Sequence, residues 1–186
     1  KPEPPTQLGE SPQEFVKRLS LLKVSEAAAS VSRSIIIGAD TAVVFKNHVL
    51  GKPEDCDDAK IMLRLLRGKY HRVLTGITVL DSYSGNLISS CTSTTVLMRD
   101  YSDNELSAYV DSGSPLDKAG GYGIQDIEFS PVSSVDGCYL NVVGLPLCKL
   151  LDMITELSIE FSLTPELWRE RECVTCPYRP GSEICQ

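Results

Sequence analysis

Two long runs of alternating apolar and polar residues constrain this fold more than any other feature of the chain. They cover Arg72–Leu80 and Leu87–Met98, and the short polar segment Ser82–Asn86 separates them. Because successive side chains of a strand point to opposite faces of a sheet, this alternation predicts two antiparallel strands joined by a turn. A chain with such a hairpin has to build a sheet and cover its apolar face.

Shorter segments predict further strands. They are Ser34–Gly38, Ala42–Phe45, His48–Leu50, Ile127–Val135 and Cys138–Val143. The first is a continuous apolar run, which is typical of a strand buried on both faces. The second and third flank Lys46-Asn47, so they predict a hairpin, and Asp136-Gly137 predicts a turn between the last two.

Helix signals lie between these strands. Ser11 with Glu14, and Ser102 with Glu105, have the spacing of capping boxes, which mark the first turn of a helix. The predicted helices run from Ser11 to about Ser32, over Asp55–Arg67, from Ser102 to about Gly113 and over Leu145–Leu157. Strands and helices in this order predict an α/β fold in which helices flank a mixed sheet.

Composition excludes some classes of partner. The chain has 186 residues, enough for one domain, and a formal net charge of −7. No broad basic surface is available for a nucleic-acid polymer, although a few lysines, backbone N–H groups and a cation can still hold one nucleotide. No apolar run approaches the roughly 20 residues that span a bilayer, and the first residues lack a signal-peptide core. We therefore expect a soluble cytoplasmic protein without a membrane partner.

The seven cysteines do not form an obvious disulfide framework. Their odd number favours a reducing compartment. Cys173, Cys176 and Cys185 lie close together near the C-terminus without a neighbouring histidine. Zinc sites usually need four ligands, so this group is compatible with a metal or redox role and with an irregular tail.

Two short motifs place charged side chains next to predicted strands. In Gly38-Ala39-Asp40-Thr41, the carboxylate of Asp40 follows the apolar strand directly, where α/β sheets tend to bind ligands. It could bind a metal or activate water, and it could equally be an ordinary turn residue. In Gly51-Lys52-Pro53, the restrained backbone could direct the ammonium of Lys52 at a phosphate, although an exposed loop lysine is the simpler interpretation.

A third motif, Asp117–Gln125, combines opposite charges with three glycines. The glycines allow close approach of the backbone to an anion. Asp117 and Lys118 place opposite charges at one end of the segment, and Gln125 offers a donor and an acceptor that could contact a base. The alternative is a flexible loop without a ligand.

As an ordered set, these motifs closely resemble the Maf family. The matching segments are Ile37–Thr41, Leu50–Pro53, Met62–Gly76, Asp117–Gln125 and Gly137–Pro146. The resemblance implies a fold like that of Maf proteins and inosine triphosphatase, with a twisted mixed sheet, flanking helices and a central cleft. It places the Maf-like domain at residues 1–160 and leaves residues 161–186 as an irregular tail that contains cysteines.

The resemblance also implies an activity, the hydrolysis of a nucleoside triphosphate to the monophosphate and pyrophosphate. The Ile-Gln pair at the end of the glycine-rich motif is similar to the branch that acts on dTTP and UTP. Asp40 would activate water, while Thr41 and Gln125 would set base specificity. Lys52 and Lys118 would neutralise phosphate oxygens, so Lys52 counts among the catalytic residues.

A divalent cation is implied as cofactor, Mg²⁺ with Mn²⁺ or Co²⁺ as alternatives. Its ligands would be Asp40, Asp117 and Glu3, and Asp117 is therefore also a predicted catalytic residue. The family further implies a homodimer. Metal charge together with two lysines suits attack on a triphosphate, because that reaction needs positioning and charge neutralisation more than covalent chemistry.

One departure from the family pattern leaves a second function open. Maf domains begin with a strand and a Ser-Pro-Arg-Arg loop that contacts phosphates, and this sequence contains no such motif. Its Ser11-Pro12 opens a helix instead. The expectation is a domain that lacks this first strand and one arginine. The alternative to an active pyrophosphatase is therefore a catalytically impaired module that binds nucleotides or a protein.

Overall fold

The computed structural model of the chain describes residues 4–161. Two long strands, β3 (Tyr70–Asp81) and β4 (Leu87–Met98), form the predicted central hairpin and pair over eleven residues from Tyr70–Leu97 to Leu80–Leu87. Strand β1 (Ile35–Phe45) pairs with the other side of β3, and β2 (His48–Leu50) and β5 (Val132–Asp136) lie at the two edges. Each of these pairings is antiparallel. The predicted sheet flanked by helices is confirmed; its pairings among residues 4–161 are antiparallel, whereas the prediction was of a mixed sheet.

Within residues 4–161, five α-helices pack around the sheet. They are α1 (Pro12–Ala28), α2 (Cys56–Leu66), α3 (Asp103–Asp111), α4 (Tyr139–Val143) and α5 (Leu147–Glu156). Both predicted capping boxes are present, at Ser11 before α1 and at Ser102 before α3. Among residues 4–161, no helix is both long enough and apolar enough to cross a bilayer.

Strand β1 differs most from the sequence prediction. The sequence predicted two strands here, Ser34–Gly38, buried on both faces, and Ala42–Phe45. The structure instead has one continuous strand through to Phe45, in which Ile35 and Ile37 are exposed. The reason is its partner: ten consecutive residues of β1 pair with β3, and this pairing keeps the chain extended through Asp40. Asp40 therefore lies within a strand and not directly after one.

The C-terminal half differs in two further elements. The predicted strand over Ile127–Val135 is shorter and begins at Val132. Cys138–Val143, also predicted as a strand, contains helix α4, although its valines favour strands. The side chain of Asn141 explains the difference, because its amide donates to the main-chain oxygen of Val73 at 2.9 Å and holds the turn against β3.

The two faces of the sheet are covered by different helices. Even-numbered side chains of β1, such as Ala42 and Val44, pack against Phe15, Val16 and Leu19 of α1. On the opposite face, α2 and α3 cover one end of the sheet and α5 packs on Ile77 and Val79 at the other. Alternation along β1 thus decides which side chains meet α1 and which meet the second face.

Candidate active site

A cavity of about 470 Å³ opens on the face of the sheet opposite to α1. Thr41 and Val43 of β1, Val73 of β3 and Val142 of α4 form part of its wall. The glycine-rich motif closes another side through the segment 118–126. The volume is within the range of small-molecule sites, and the wall mixes apolar and polar groups as such sites do.

Four of the predicted site residues line this single cavity. They are Thr41, Lys52, Lys118 and Gln125. Lys52 and Lys118 come from segments far apart in sequence, and a backbone hydrogen bond joins those segments, because the N–H of Gly120 donates to the oxygen of Gly51 at 2.9 Å. Gly120 has φ +70 and its missing side chain would meet Val43 at 3.0–3.1 Å, so this close approach needs a glycine.

Asp117 lies beside the cavity and does not line it. Its side chain is 79% exposed, and one carboxylate oxygen accepts from the ammonium of Lys118 at 2.6 Å. That hydrogen bond is the largest cause of the lowered pKa of Asp117, and the charge of Lys52 contributes a smaller part. The same ammonium also donates to the main-chain oxygen of Ser114 at 2.8 Å, which fixes Lys118 at the cavity edge.

Asp40 points to the other face of the sheet. Its side chain is only 5% exposed, and its carboxylate lies 2.6 Å from the ammonium of Lys23 on α1, which is half exposed. Lys23 also donates to the main-chain oxygen of Ala39 at 3.1 Å. Asp40 and Thr41 are thus neighbours in sequence that lie on opposite faces of β1, and the predicted site is divided between those faces.

A buried histidine holds the glycine-rich segment against the sheet. His71 is 3% exposed, and its Nε2 lies 2.6 Å from the hydroxyl of Tyr122, which lines the cavity. Burial lowers the pKa of His71 to about 4, so the ring is neutral at neutral pH. Burial also raises the pKa of Tyr122, so its hydroxyl keeps its proton. The pair anchors the segment that presents Lys118 and Gln125.

Comparison with known proteins identifies the family to which this fold and cavity belong. The chain matches the family described as Maf-like protein over residues 2–157. This chain belongs to the Maf family. Its fold and cavity are therefore those of a Maf-like domain, and the family resemblance predicted from the motifs is confirmed.

Several relatives of this Maf-like chain are about two fifths identical to it over the aligned residues. It is 42% identical to the dTTP/UTP pyrophosphatase of Dehalococcoides mccartyi over 166 residues, which is 89% of this chain and 74% of the relative. It is 42% identical to the dTTP/UTP pyrophosphatase of Dictyoglomus thermophilum over 147 residues, 79% and 76% of the two chains. It is 45% identical to the protein of the same name from Alkaliphilus metalliredigens over 144 residues, 77% and 74% of the two chains.

Two of the three predicted metal ligands, Asp40 and Asp117, lie within the described residues of this Maf-like domain. Among residues 4–161, no group of three or more His, Cys, Asp or Glu side chains could hold a metal ion. Asp40 is paired with Lys23, and Asp117 is paired with Lys118. Glu3 and the cysteines of the predicted tail, Cys173, Cys176 and Cys185, lie outside the described residues.

Two residues of this site were not predicted from the sequence. Lys23 gave no separate signal, because a single lysine on a helix is ordinarily solvated. Thr75 is fully buried in β3, and its hydroxyl lies 2.8 Å from that of Thr41. A threonine within an alternating strand fits the strand pattern by itself, and only the register of β1 with β3 shows that these two threonines face each other.

Proposed function

We propose that this Maf-like chain hydrolyses pyrimidine nucleoside triphosphates, dTTP and UTP, to the monophosphate and pyrophosphate. The observation that supports this most directly is that Thr41, Lys52, Lys118 and Gln125 all line one cavity. The names of the relatives, dTTP/UTP pyrophosphatase in each case, support the same substrate class.

The polar residues of the cavity form two groups, one suited to the base of a nucleotide and the other to its phosphates. In this proposal the base lies against Thr41 and Gln125, with the valine side chains of the wall beside the ring. Lys52 and Lys118 provide positive charge for phosphate oxygens, which is the main requirement of phosphoryl chemistry. Asp117 keeps Lys118 in place through their ion pair.

Asp40 is proposed to activate the attacking water from the other side of β1. Among the described strands, β2 pairs only with Val43–Phe45, so none of them covers the edge of β1 beside Asp40 and Thr41. One ligand crossing this edge can contact Thr41 with its base and Asp40 with its phosphates. Lys23, half exposed beside Asp40, adds a third cation to the phosphate end.

A divalent cation fits this arrangement if phosphate oxygens of the substrate supply some of its ligands. Mg²⁺ is often held by one or two carboxylates together with phosphate oxygens, and does not require an all-protein cage. Asp40 would be the principal ligand, with Asp117 and Glu3 as the other proposed ones, and Mn²⁺ or Co²⁺ could replace Mg²⁺. The cation would neutralise charge on the triphosphate during attack.

A second candidate function is nucleotide binding without turnover. The observation that favours it is the orientation of Asp40, which faces α1 and does not line the cavity with the other predicted residues. A binding module would use the cavity and the lysines in the same way but would release no product.

An assay of the full chain separates the two functions. Purified protein is incubated with UTP, dTTP, CTP and GTP in the presence of Mg²⁺, and pyrophosphate and monophosphate are both measured. Equal amounts of UMP and pyrophosphate from UTP are expected. Orthophosphate in place of pyrophosphate contradicts the proposed reaction, and saturable UTP binding without product supports the second candidate.

The remaining assignments stay predictions. They are the homodimer, the cytoplasmic location, the absence of nucleic-acid and membrane partners, and the division into a domain at residues 1–160 and a tail at residues 161–186. The family match to residues 2–157 is compatible with that domain boundary.

A further inference from the structure

A short chain of hydrogen bonds fixes the direction of the hydroxyl of Thr41. The hydroxyl of Thr75 donates to the main-chain oxygen of Asn141 at 2.9 Å and lies 2.8 Å from Thr41 Oγ1. A threonine hydroxyl has one hydrogen, and a carbonyl oxygen can only accept. The hydrogen of Thr75 is therefore directed at Asn141, and Thr41 supplies the hydrogen between the two threonines.

Burial prevents the opposite arrangement. Thr75 and Asn141 are both fully buried, and the amide of Asn141 is itself held by Val73 and by Thr94 Oγ1 at 3.0 Å. If Thr75 donated to Thr41 instead, the hydroxyl oxygen of Thr75 and the main-chain oxygen of Asn141 would remain 2.9 Å apart without a hydrogen between them. Such a contact is costly where water cannot enter.

We propose that Thr75 is a specificity-determining residue of this site: it keeps Thr41 Oγ1 as a hydrogen-bond acceptor toward the cavity and so favours uracil and thymine over cytosine. This inference rests on the proposed function, because it takes a pyrimidine nucleotide as the ligand. Ring atom N3 has a hydrogen in uracil and thymine, whereas in cytosine it is an unprotonated acceptor. An acceptor opposite N3 therefore binds the first two bases and repels the third.

Gln125 cannot make this distinction alone. Its side chain is exposed, and its amide carries donors on one side and an acceptor on the other. Rotation by half a turn lets it match either base. Discrimination then depends on a group whose polarity is fixed, and among the cavity residues Thr41 has that property through Thr75.

The test compares kcat/KM for UTP and for CTP in the full chain. Thr75→Val keeps the shape of the side chain but removes the oxygen that receives the hydrogen of Thr41, so Thr41 becomes free to donate to cytosine. We expect the UTP to CTP ratio of kcat/KM to fall on the order of tenfold, the effect of about one hydrogen bond. Thr75→Ser retains the hydroxyl and should restore the ratio. An unchanged ratio in Thr75→Val overturns the inference.

Thr94→Val is the matched control. Thr94 is also buried in the sheet, and its hydroxyl donates to the main-chain oxygen of Cys138 at 3.0 Å, in the turn before Asn141. The same substitution there should lower stability and leave the ratio unchanged. If Thr94→Val changes the UTP to CTP ratio of kcat/KM as much as Thr75→Val does, loosening of this turn is enough to explain the change. That result would overturn the inference.

Two further measurements keep the test decisive. If Thr75→Val does not fold, Thr41→Val should lower the ratio by weakening UTP selectively, and an unchanged ratio counts against the inference. If the unsubstituted chain releases no pyrophosphate, the proposed activity fails, and calorimetric binding of UMP and CMP tests the inference separately. Tighter binding of UMP that is lost in Thr75→Val supports it, while equal affinities, or no binding of either, overturn it.

Discussion

Helix α1 covers one face of the sheet closely, whereas the opposite face carries two separate apolar clusters and an open cavity. On the α1 face, Gly38 and Gly76 allow the helix backbone to approach the strands. A Cβ added at Gly38 would lie 2.6 Å from the main-chain oxygen of Ser20, and one at Gly76 would overlap the carbonyl of Val16. The α1 face therefore excludes a ligand over most of its area, and the cavity face admits one.

Both faces also carry polar residues. The α1 face has the Lys23–Asp40 ion pair near its rim and the paired hydroxyls of Ser20 and Thr78 beneath the helix, while the cavity face has the hydroxyls of Thr41 and Thr75 and the two lysines of the loops. Asp40 and Thr41 belong to different faces because they are consecutive residues of one strand. The comparison places a carboxylate–ammonium pair at the edge of the α1 face, and two lysines together with the paired hydroxyls of Thr41 and Thr75 on the cavity face.

Asp40→Asn tests the role given to the α1 face and should have the largest effect. We expect kcat for UTP to fall about 10³-fold, since loss of a general base typically costs 10²–10⁴. The fold should persist, because the half-exposed ammonium of Lys23 can be solvated when its partner is neutral. The rate of pyrophosphate release and the thermal unfolding midpoint are both measured.

The matched control is Asp57→Asn, which neutralises a carboxylate that is 89% exposed and pairs with Lys60 only at 3.8 Å. It should leave kcat unchanged. Full activity in Asp40→Asn would remove Asp40 from its assigned role and confine the functional site to the cavity face.

Much of the fold and part of the candidate site could be predicted from the sequence. The alternation of the central strands, the two capping boxes and the turn at Lys46-Asn47 are local signals, and the structure confirms each of them. The motifs also predicted Thr41, Lys52, Lys118 and Gln125 as site residues, and these four meet at one cavity.

The rest depends on tertiary contacts that the sequence does not specify. Pairing with β3 extends β1 through Asp40, and this fixes the side chain on the α1 face. Anchoring of Asn141 turns a valine-rich segment into helix α4. The polarity of Thr41 follows from three groups in separate elements, Thr41, Thr75 and the main chain at Asn141, so no local pattern could have shown it.

On the cavity face of the sheet, the buried side chain of His71 should make the stability of the protein depend on pH. Its pKa is lowered by burial from the ordinary 6.5 to about 4, so the unfolded chain binds a proton between these values and the folded chain does not. The stabilisation is fully present above about pH 6.5 and is lost as the pH falls toward 4. The free energy of unfolding should decrease by about 3 kcal/mol over this range.

Chemical denaturation at several pH values measures this effect. His71→Asn should flatten the dependence between about pH 6.5 and pH 4, while the same change at the exposed His48 should not alter it. Glu10 and Glu105, whose pKa values are lowered to about 2 by hydrogen bonds to Arg18 and to Ser102, respectively, differ from unfolded carboxylates mainly below this range. If the free energy of unfolding still depends steeply on pH in His71→Asn, groups other than His71 cause the dependence.

Tyr122→Phe gives the smallest expected effect and tests whether His71 anchors the glycine-rich segment. The substitution keeps the ring and removes the hydroxyl that lies 2.6 Å from His71 Nε2. The free energy of unfolding should fall by about 1–2 kcal/mol, because a buried ring nitrogen loses its partner. Tyr70→Phe, at a tyrosine that is 66% exposed, should change stability little. KM for UTP should rise in Tyr122→Phe alone, since Lys118 and Gln125 flank Tyr122 in the same segment; an unchanged KM would show that this anchor contributes to stability without positioning the substrate-binding residues.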